Sequence, residues 1–156
     1  MSRIKDLQKR VHRELKDLES GEKTAKAVSH LHGVSLAAAI LAKKRGLDPE
    51  IAAMAGLLHD VYAYKSGSYD DHAHLGADYA RKLLKKAEVT TPGETEVICS
   101  AIWHHSDKDI ADSPMDEVLK DADVLHHCLD DPAAEVKEHE RERFARLCAE
   151  LGMGET

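Results

Sequence analysis

Proline falls at only four places in this chain, each directly after a residue that can cap a helix: Asp48-Pro49, Thr91-Pro92, Ser113-Pro114 and Asp131-Pro132. Asp, Ser and Thr side chains accept hydrogen bonds from the free N–H groups of a first helical turn. Proline suits that turn because its missing N–H would have no partner there. Thr91-Pro92-Gly93-Glu94 also carries the glutamate of a capping box. Between these starts the apolar residues keep helical spacing. Ile4, Leu7, Val11, Leu15 and Leu18 recur over 2–20, with Gly21 as the stop, and an Ala-rich segment over 24–45 ends at Gly46. Ile51, Met54, Ala55 and Leu58 then run into His59-Asp60, and 71–86 carries Leu75, Tyr79 and Leu83 on one stripe. Residues 61–70, with Gly67 and three tyrosines, read as a loop, and the last helix is expected over 132–151. No stretch alternates with period two. The chain is therefore expected to be all-α, a bundle of about seven helices.

At 156 residues the chain is long enough for one domain, 1–156, with a core at 24–130 and flanking helices at 2–20 and 132–151. Folding at this size buries roughly 70% of the unfolded chain's surface, so no staples are needed. Aromatics are 4% of residues, which leaves Leu, Ile, Val and Ala to fill the core. The net charge of −7 argues against nucleic acid or an anionic membrane as partner, since both select a basic footprint. No apolar run suggests a membrane span and the N-terminus has no signal core, so a cytoplasmic location is expected. Three scattered cysteines, Cys99, Cys128 and Cys148, read as reduced thiols. The partner expected is a small phosphorylated substrate, with a second copy of the chain left open.

Histidine is the outlier, at 11 residues, several of them beside acids: HLH at 30–32, HD at 59–60, DDHAH at 70–74 and HH at 104–105. Neutral imidazoles and carboxylates are the usual ligands of Mn, Fe, Co, Ni and Zn. His59-Asp60 closes an apolar helix, and neighbours on a regular helix point about 100° apart. Both reach one ion only if it lies beyond the helix end or between helices, so further ligands must come from other helices. His32, on the Ala-rich segment, and Asp123, in KDADVL, are the natural candidates, because each lies on or beside an apolar stripe where an unpaired polar group is costly.

The order His32, His59-Asp60, Asp123 resembles the HD-domain metal-dependent phosphohydrolases. HGVSLAAAILA resembles that family's first helix, AAMAGLLHDV its apolar run into HD, and KDADVL its final helix. The resemblance implies an HD-type helical domain in which His32, His59, Asp60 and Asp123 bind one divalent metal and a phosphoester or phosphoanhydride is hydrolysed. In some branches two more histidines bind a second ion. His72, before Gly76-Ala77, and His105, in AIWHHS, match those positions, while His74 and His104 stay open as local competitors. By these patterns the chain is similar to bacterial symmetric dinucleoside-tetraphosphate hydrolases. It departs from the GYP-type cyclic-dinucleotide phosphodiesterases, since SDKDIADSP follows AIWHH.

The expected catalyst is an ion (Mn, Co, Ni, Fe, Zn or Mg) that activates water, with Asp60 as ligand and proton acceptor. Lys108 is the first candidate for holding phosphate, and Lys65 and Lys120 are the next. His126 and His127 are expected at most beside the ligands, and His12, His30 and His139 on the surface. Dinuclear hydrolysis of dinucleoside polyphosphates or cyclic nucleotides, and a non-catalytic metal- or nucleotide-binding sensor, are the rival readings.

Overall fold

A computed structural model describes residues 2–154, so the ends of the expected 1–156 domain lie outside the described residues. Among the described residues the architecture is all-α, with eight helices and no strand: α1 (Arg3–Leu15), α2 (Gly21–Lys44), α3 (Pro49–Leu58), α4 (Val61–Ser66), α5 (His72–Ala87), α6 (Pro92–His104), α7 (Pro114–Leu129) and α8 (Glu138–Leu151). Three of the four proline starts hold. Asp48 Oδ1 accepts from Glu50 N and Ile51 N, Thr91 and Glu94 close a full capping box, and Pro114 opens α7.

The departures have local causes. α1 ends at Leu15, and Gly21, read as its stop, is the first residue of α2, capped by Ser20 Oγ on Lys23 N. Residues 61–66, read as loop, form the short α4, which Gly67 closes in the left-handed conformation at φ 71°. The fourth proline starts no long helix. Asp131 accepts from Ala133 N and Ala134 N in a single turn that does not propagate. Arg141 reaches back to Glu135 and to the Val136 carbonyl, and helix resumes only at Glu138.

α2 is the central element, packed against α3 and α7, with α5 and α6 paired beside them. By length and composition it could cross a bilayer, but half of its most apolar stretch is buried inside the domain. Ala27, Leu31, Val34, Ala38, Leu41 and Ala42 fill its inner side against Met54, Leu57 and Leu58 of α3 and Val118, Leu119 and Ala122 of α7. Leu7, Val11 and Leu15 close the core from α1. Arg3 ties α1 to the rest of the fold through Glu50 and Glu94.

The α2–α3 crossing fixes the site's geometry, because each helix carries a histidine into it. At Gly56 the two backbones nearly touch. A Cβ there would stand 2.8 Å from Ser35 Cα, 2.9 Å from Ser35 N and 2.9 Å from Val34 O, and Ser35 Oγ bonds Ala53 O across the crossing at 2.8 Å. Backbone cannot swing aside as a side chain can, so Gly56→Ala forces the helices apart. We expect a loss of about 1–3 kcal/mol, as for overpacked cores. At this chain length that is a fall in Tm of about 3–10 °C. Thermal melts of the two proteins check it, and an unchanged Tm would show that the crossing is slack.

A candidate metal centre between the helices

His59 and Asp60 sit where α3 stops and α4 begins. His59 is the C-terminal cap of α3, and Asp60 occupies the break at φ −118°, ψ 9°. The break lets two adjacent side chains converge, which a continuous helix forbids. Asp123 comes from the middle of α7, His72 from the start of α5 and His105 from the end of α6.

The fourth member of the inner cluster is His30, not His32. His30 Nε2 lies 3.2 Å from His59 Nε2, 3.3 Å from Asp60 Oδ2 and 3.5 Å from Asp123 Oδ1. His59 Nε2 lies 3.3 Å from Asp60 Oδ2 and 3.4 Å from Asp123 Oδ1. His32 is two residues along α2, about 200° around the helix. It faces α1 instead, with its Nε2 2.9 Å from His12 Nε2. There partial burial, His12 and Lys5 hold its pKa below the ordinary value.

Ring orientation is fixed by the nitrogens that face away from the centre. His59 Nδ1 donates to Gly56 O at 2.6 Å and His105 Nδ1 to Ile102 O at 2.6 Å. His72 Nδ1 donates to Tyr69 O at 2.9 Å. His30 Nδ1 meets His126 Nδ1 at 3.0 Å, and His126 Nε2 faces Asp130 at 3.5 Å. With Nδ1 carrying the hydrogen, each Nε2 turns a lone pair inward, the arrangement metal-binding imidazoles adopt. His126 has its place because residue 33 is glycine; a Cβ at Gly33 would run into its ring.

The inward atoms form two groups that share one residue. The four donors of His30, His59, Asp60 and Asp123 lie within 4.8 Å of one another, as do those of Asp60, His72 and His105. Asp60 Oδ2 faces the first group, while its Oδ1 lies 3.7 Å from His72 Nε2 and 3.4 Å from His105 Nε2. Asp60 Oδ1 and Asp123 Oδ1 are buried and accept no hydrogen bond. Two such oxygens facing inward-pointing lone pairs repel one another unless positive charge stands among them. The donor set, imidazole and carboxylate at close spacing, fits a divalent transition ion.

Without an ion, a proton serves. Burial alone would lower the His59 pKa, but the Asp60 and Asp123 carboxylates push it up to about 10. Against their own burial, His59, His105 and His30 hold Asp60 well below the usual carboxylate range, and His59 and Lys108 do the same for Asp123.

Of the other residues singled out in the sequence, Lys108 Nζ reaches Asp123 Oδ2 at 3.0 Å and lines the cleft. Lys120 is fully buried and bound to Ile110 O, Asp112 and Glu117, and Lys65 pairs with Glu14 on α1, so neither faces the centre. His74 stacks on Trp103, and His104 binds Ser100 O beside Asp116; both stay outside the cluster. His127, from α7, stands beside it with Nε2 3.4 Å from Asp123 Oδ1, and its Nδ1 binds Glu140 of α8 at 2.9 Å. The cluster opens into a cleft of about 930 Å³ that runs from Asp60, His72 and His105 to Lys137, Glu140 and Arg143.

Residues 27–128 match the family model described as HD domain. The chain is also similar to Ribonuclease Y of Opitutus terrae, 34% identical over 80 residues, which make up 49% of this chain and 14% of that protein. Ribonuclease Y of Chlorobium luteolum is 30% identical over 98 residues, 63% of this chain and 17% of the relative. The matched stretches are thus less than a fifth of these relatives' length. No solved structure matches the chain at a significant level.

Proposed function

This chain belongs to the HD domain family, and from that premise we propose that it is a divalent-metal-dependent phosphohydrolase acting on a small phosphorylated metabolite or nucleotide. The observation that carries the reading is the convergence of His30, His59, Asp60 and Asp123 within 4.8 Å, with buried carboxylate oxygens that no protein donor satisfies. A divalent ion held there supplies a water acidic enough to attack near neutral pH and positive charge opposite the phosphate. The chain's own residues do the rest. His30, His59, Asp60 and Asp123 hold the ion. Asp60, kept ionised by its histidine neighbours, serves more as ligand and fixed charge than as a proton store. Lys108 Nζ, on the cleft wall, is placed to donate hydrogen bonds to a phosphate oxygen.

The test is hydrolysis of a panel of phosphomonoesters, nucleoside polyphosphates, dinucleotides and short RNA, with Mn, Co, Ni and Mg each added back after chelation. RNA is included because the relatives are named ribonucleases. Activity that chelation abolishes and Mn, Co or Ni restores better than Mg supports the reading, given an imidazole-rich donor set. Full activity in chelated protein on every substrate would overturn it.

A second reading, in which Asp60 would contribute a donor to each of two ions, is favoured by the opposite facing of its two oxygens. His72 and His105 would hold the second ion, so replacing both is expected to lower Mn stoichiometry from two to one. One ion at saturating Mn in the unaltered protein would reject it.

Metal binding is expected to depend on pH. The ion must displace the proton that the carboxylates hold on His59, whose pKa is about 10. Below that value the proton competes, so Mn affinity rises with pH, by about tenfold per unit between pH 6 and 8 for a one-proton exchange. Calorimetry in buffers of different ionisation enthalpy reads both the slope and the proton released, and a flat profile would contradict the exchange.

A further inference from the structure

α8 lies beyond the matched span of 27–128, yet it supplies one wall of the cleft. Arg143 is its most buried cation, 9% exposed. Its guanidinium divides between α7, where Nη1 approaches Glu117 Oε1 at 3.4 Å, and the connection that precedes α7. Nη1 binds Asp121 Oδ1 at 2.7 Å, and Asp121 is gripped from its other side by Arg45 at 2.6 Å. Nη2 donates to the backbone carbonyl of Lys108 at 2.7 Å. Lys108 sits in the nine-residue connection between α6 and α7, which has little regular structure to hold it. Two carbonyls of that connection are held by buried cations: Lys108 O by Arg143, and Ile110 O by Lys120 at 2.7 Å. The Lys108 ammonium then meets Asp123 at the centre.

We propose that Arg143 is a positioning residue for Lys108, so that α8 is a working part of the phosphate site and not an appendage to the domain. The proposal rests on the hydrolase reading above for the identity of the ligand. The chemistry suits arginine. A planar fork holds a carboxylate with one nitrogen and a backbone carbonyl with another in a fixed relative geometry, while a lysine directs its three donors from one freely rotating nitrogen. Fixing the backbone of residue 108 restricts where a long, flexible side chain can place its amine, and that precision decides whether it meets a bound phosphate.

The test uses the full chain and inorganic phosphate as probe, titrated into Mn-loaded protein, with amide hydrogen exchange of residues 106–110 followed in metal-free protein. Arg143→Met is expected to weaken phosphate binding about tenfold, to speed exchange over 106–110, and to leave Mn stoichiometry unchanged. Lys108→Met should lose a similar factor, and the double variant should be no weaker than Lys108→Met alone, because the two act in series. Arg143→Lys should fall between, and it provides the same readout if Arg143→Met does not fold. A folded Arg143 variant with wild-type phosphate affinity would overturn the proposal. So would a double variant that loses the product of both factors, which would make Arg143 a general structural support. Lys108-independent phosphate binding in the unaltered protein would overturn it as well. If phosphate binding follows the expected pattern while no substrate is hydrolysed, the positioning role stands and the hydrolase reading falls.

Discussion

Asp60→Ala should lower turnover by at least ~10²-fold, the upper end of what losing a group that only orients a metal ligand costs, and should empty both donor groups of metal. No other replacement reaches so far, because Asp60 is the one residue the two groups share. Its Oδ2 faces His30 and His59, and its Oδ1 faces His72 and His105. The fold should survive. Asp60 makes no side-chain capping bond to α4, its backbone angles are open to alanine, and alanine favours the helices on either side. Turnover on the best substrate, metal content after dialysis and helical circular dichroism separate loss of the ion from loss of the fold. Near-normal turnover would remove Asp60 from the mechanism.

His30→Ala and His32→Ala, two residues apart, should behave as opposites. His30 gives its Nε2 to the inner cluster, and its other nitrogen is fixed by His126. Even residues that only orient a ligand change metal affinity by about 10–100-fold, so loss of a ligand should cost at least that. His32→Ala breaks only the contact with His12 on the far side of α2, and metal affinity should not change. Metal titration of the two variants is the measurement. Loss of metal in His32→Ala with retention in His30→Ala would mean that α2 is turned the other way.

That pair also marks where reading the sequence stops. His59-Asp60 and Asp123 were legible because the chain breaks helix at the first and packs the second in an apolar run, and both signals are local. The choice between His30 and His32 is not local. His30 continues through Val34, Ala37 and Leu41, all buried, and His32 through Leu36 and Ile40, which are 65% and 50% exposed. Both rows are apolar, so periodicity cannot tell the inner from the outer. What decides is tertiary: the backbone approach at Gly56 and the space over Gly33 turn the first row inward. The run 30-34-37-41 was the available signal, and the apolar row outside concealed it.

Lys108 could be proposed from its place after the histidine pair, but nothing in the sequence linked it to Arg143, 35 residues away. The late start of α8 was hidden for a similar reason. Asp131-Pro132 does make a capped turn, and its failure to continue depends on Arg141, which is held in a later helix. In each case the missing information was a contact between distant segments.

The cluster joins residues 30, 59, 60 and 123, which lie far apart along the chain and come from α2, the α3–α4 break and α7. An ion held by all four would act on the chain as a reversible cross-link, closing long loops much as a disulfide does, but with a strength set by the surroundings. Because the unfolded chain has no such site, unfolding and release of the ion become one event. At a free concentration one hundred times the dissociation constant the added stability is about 2.7 kcal/mol. How firmly this chain holds its shape would then vary with the metal supply around it, even where no substrate is present.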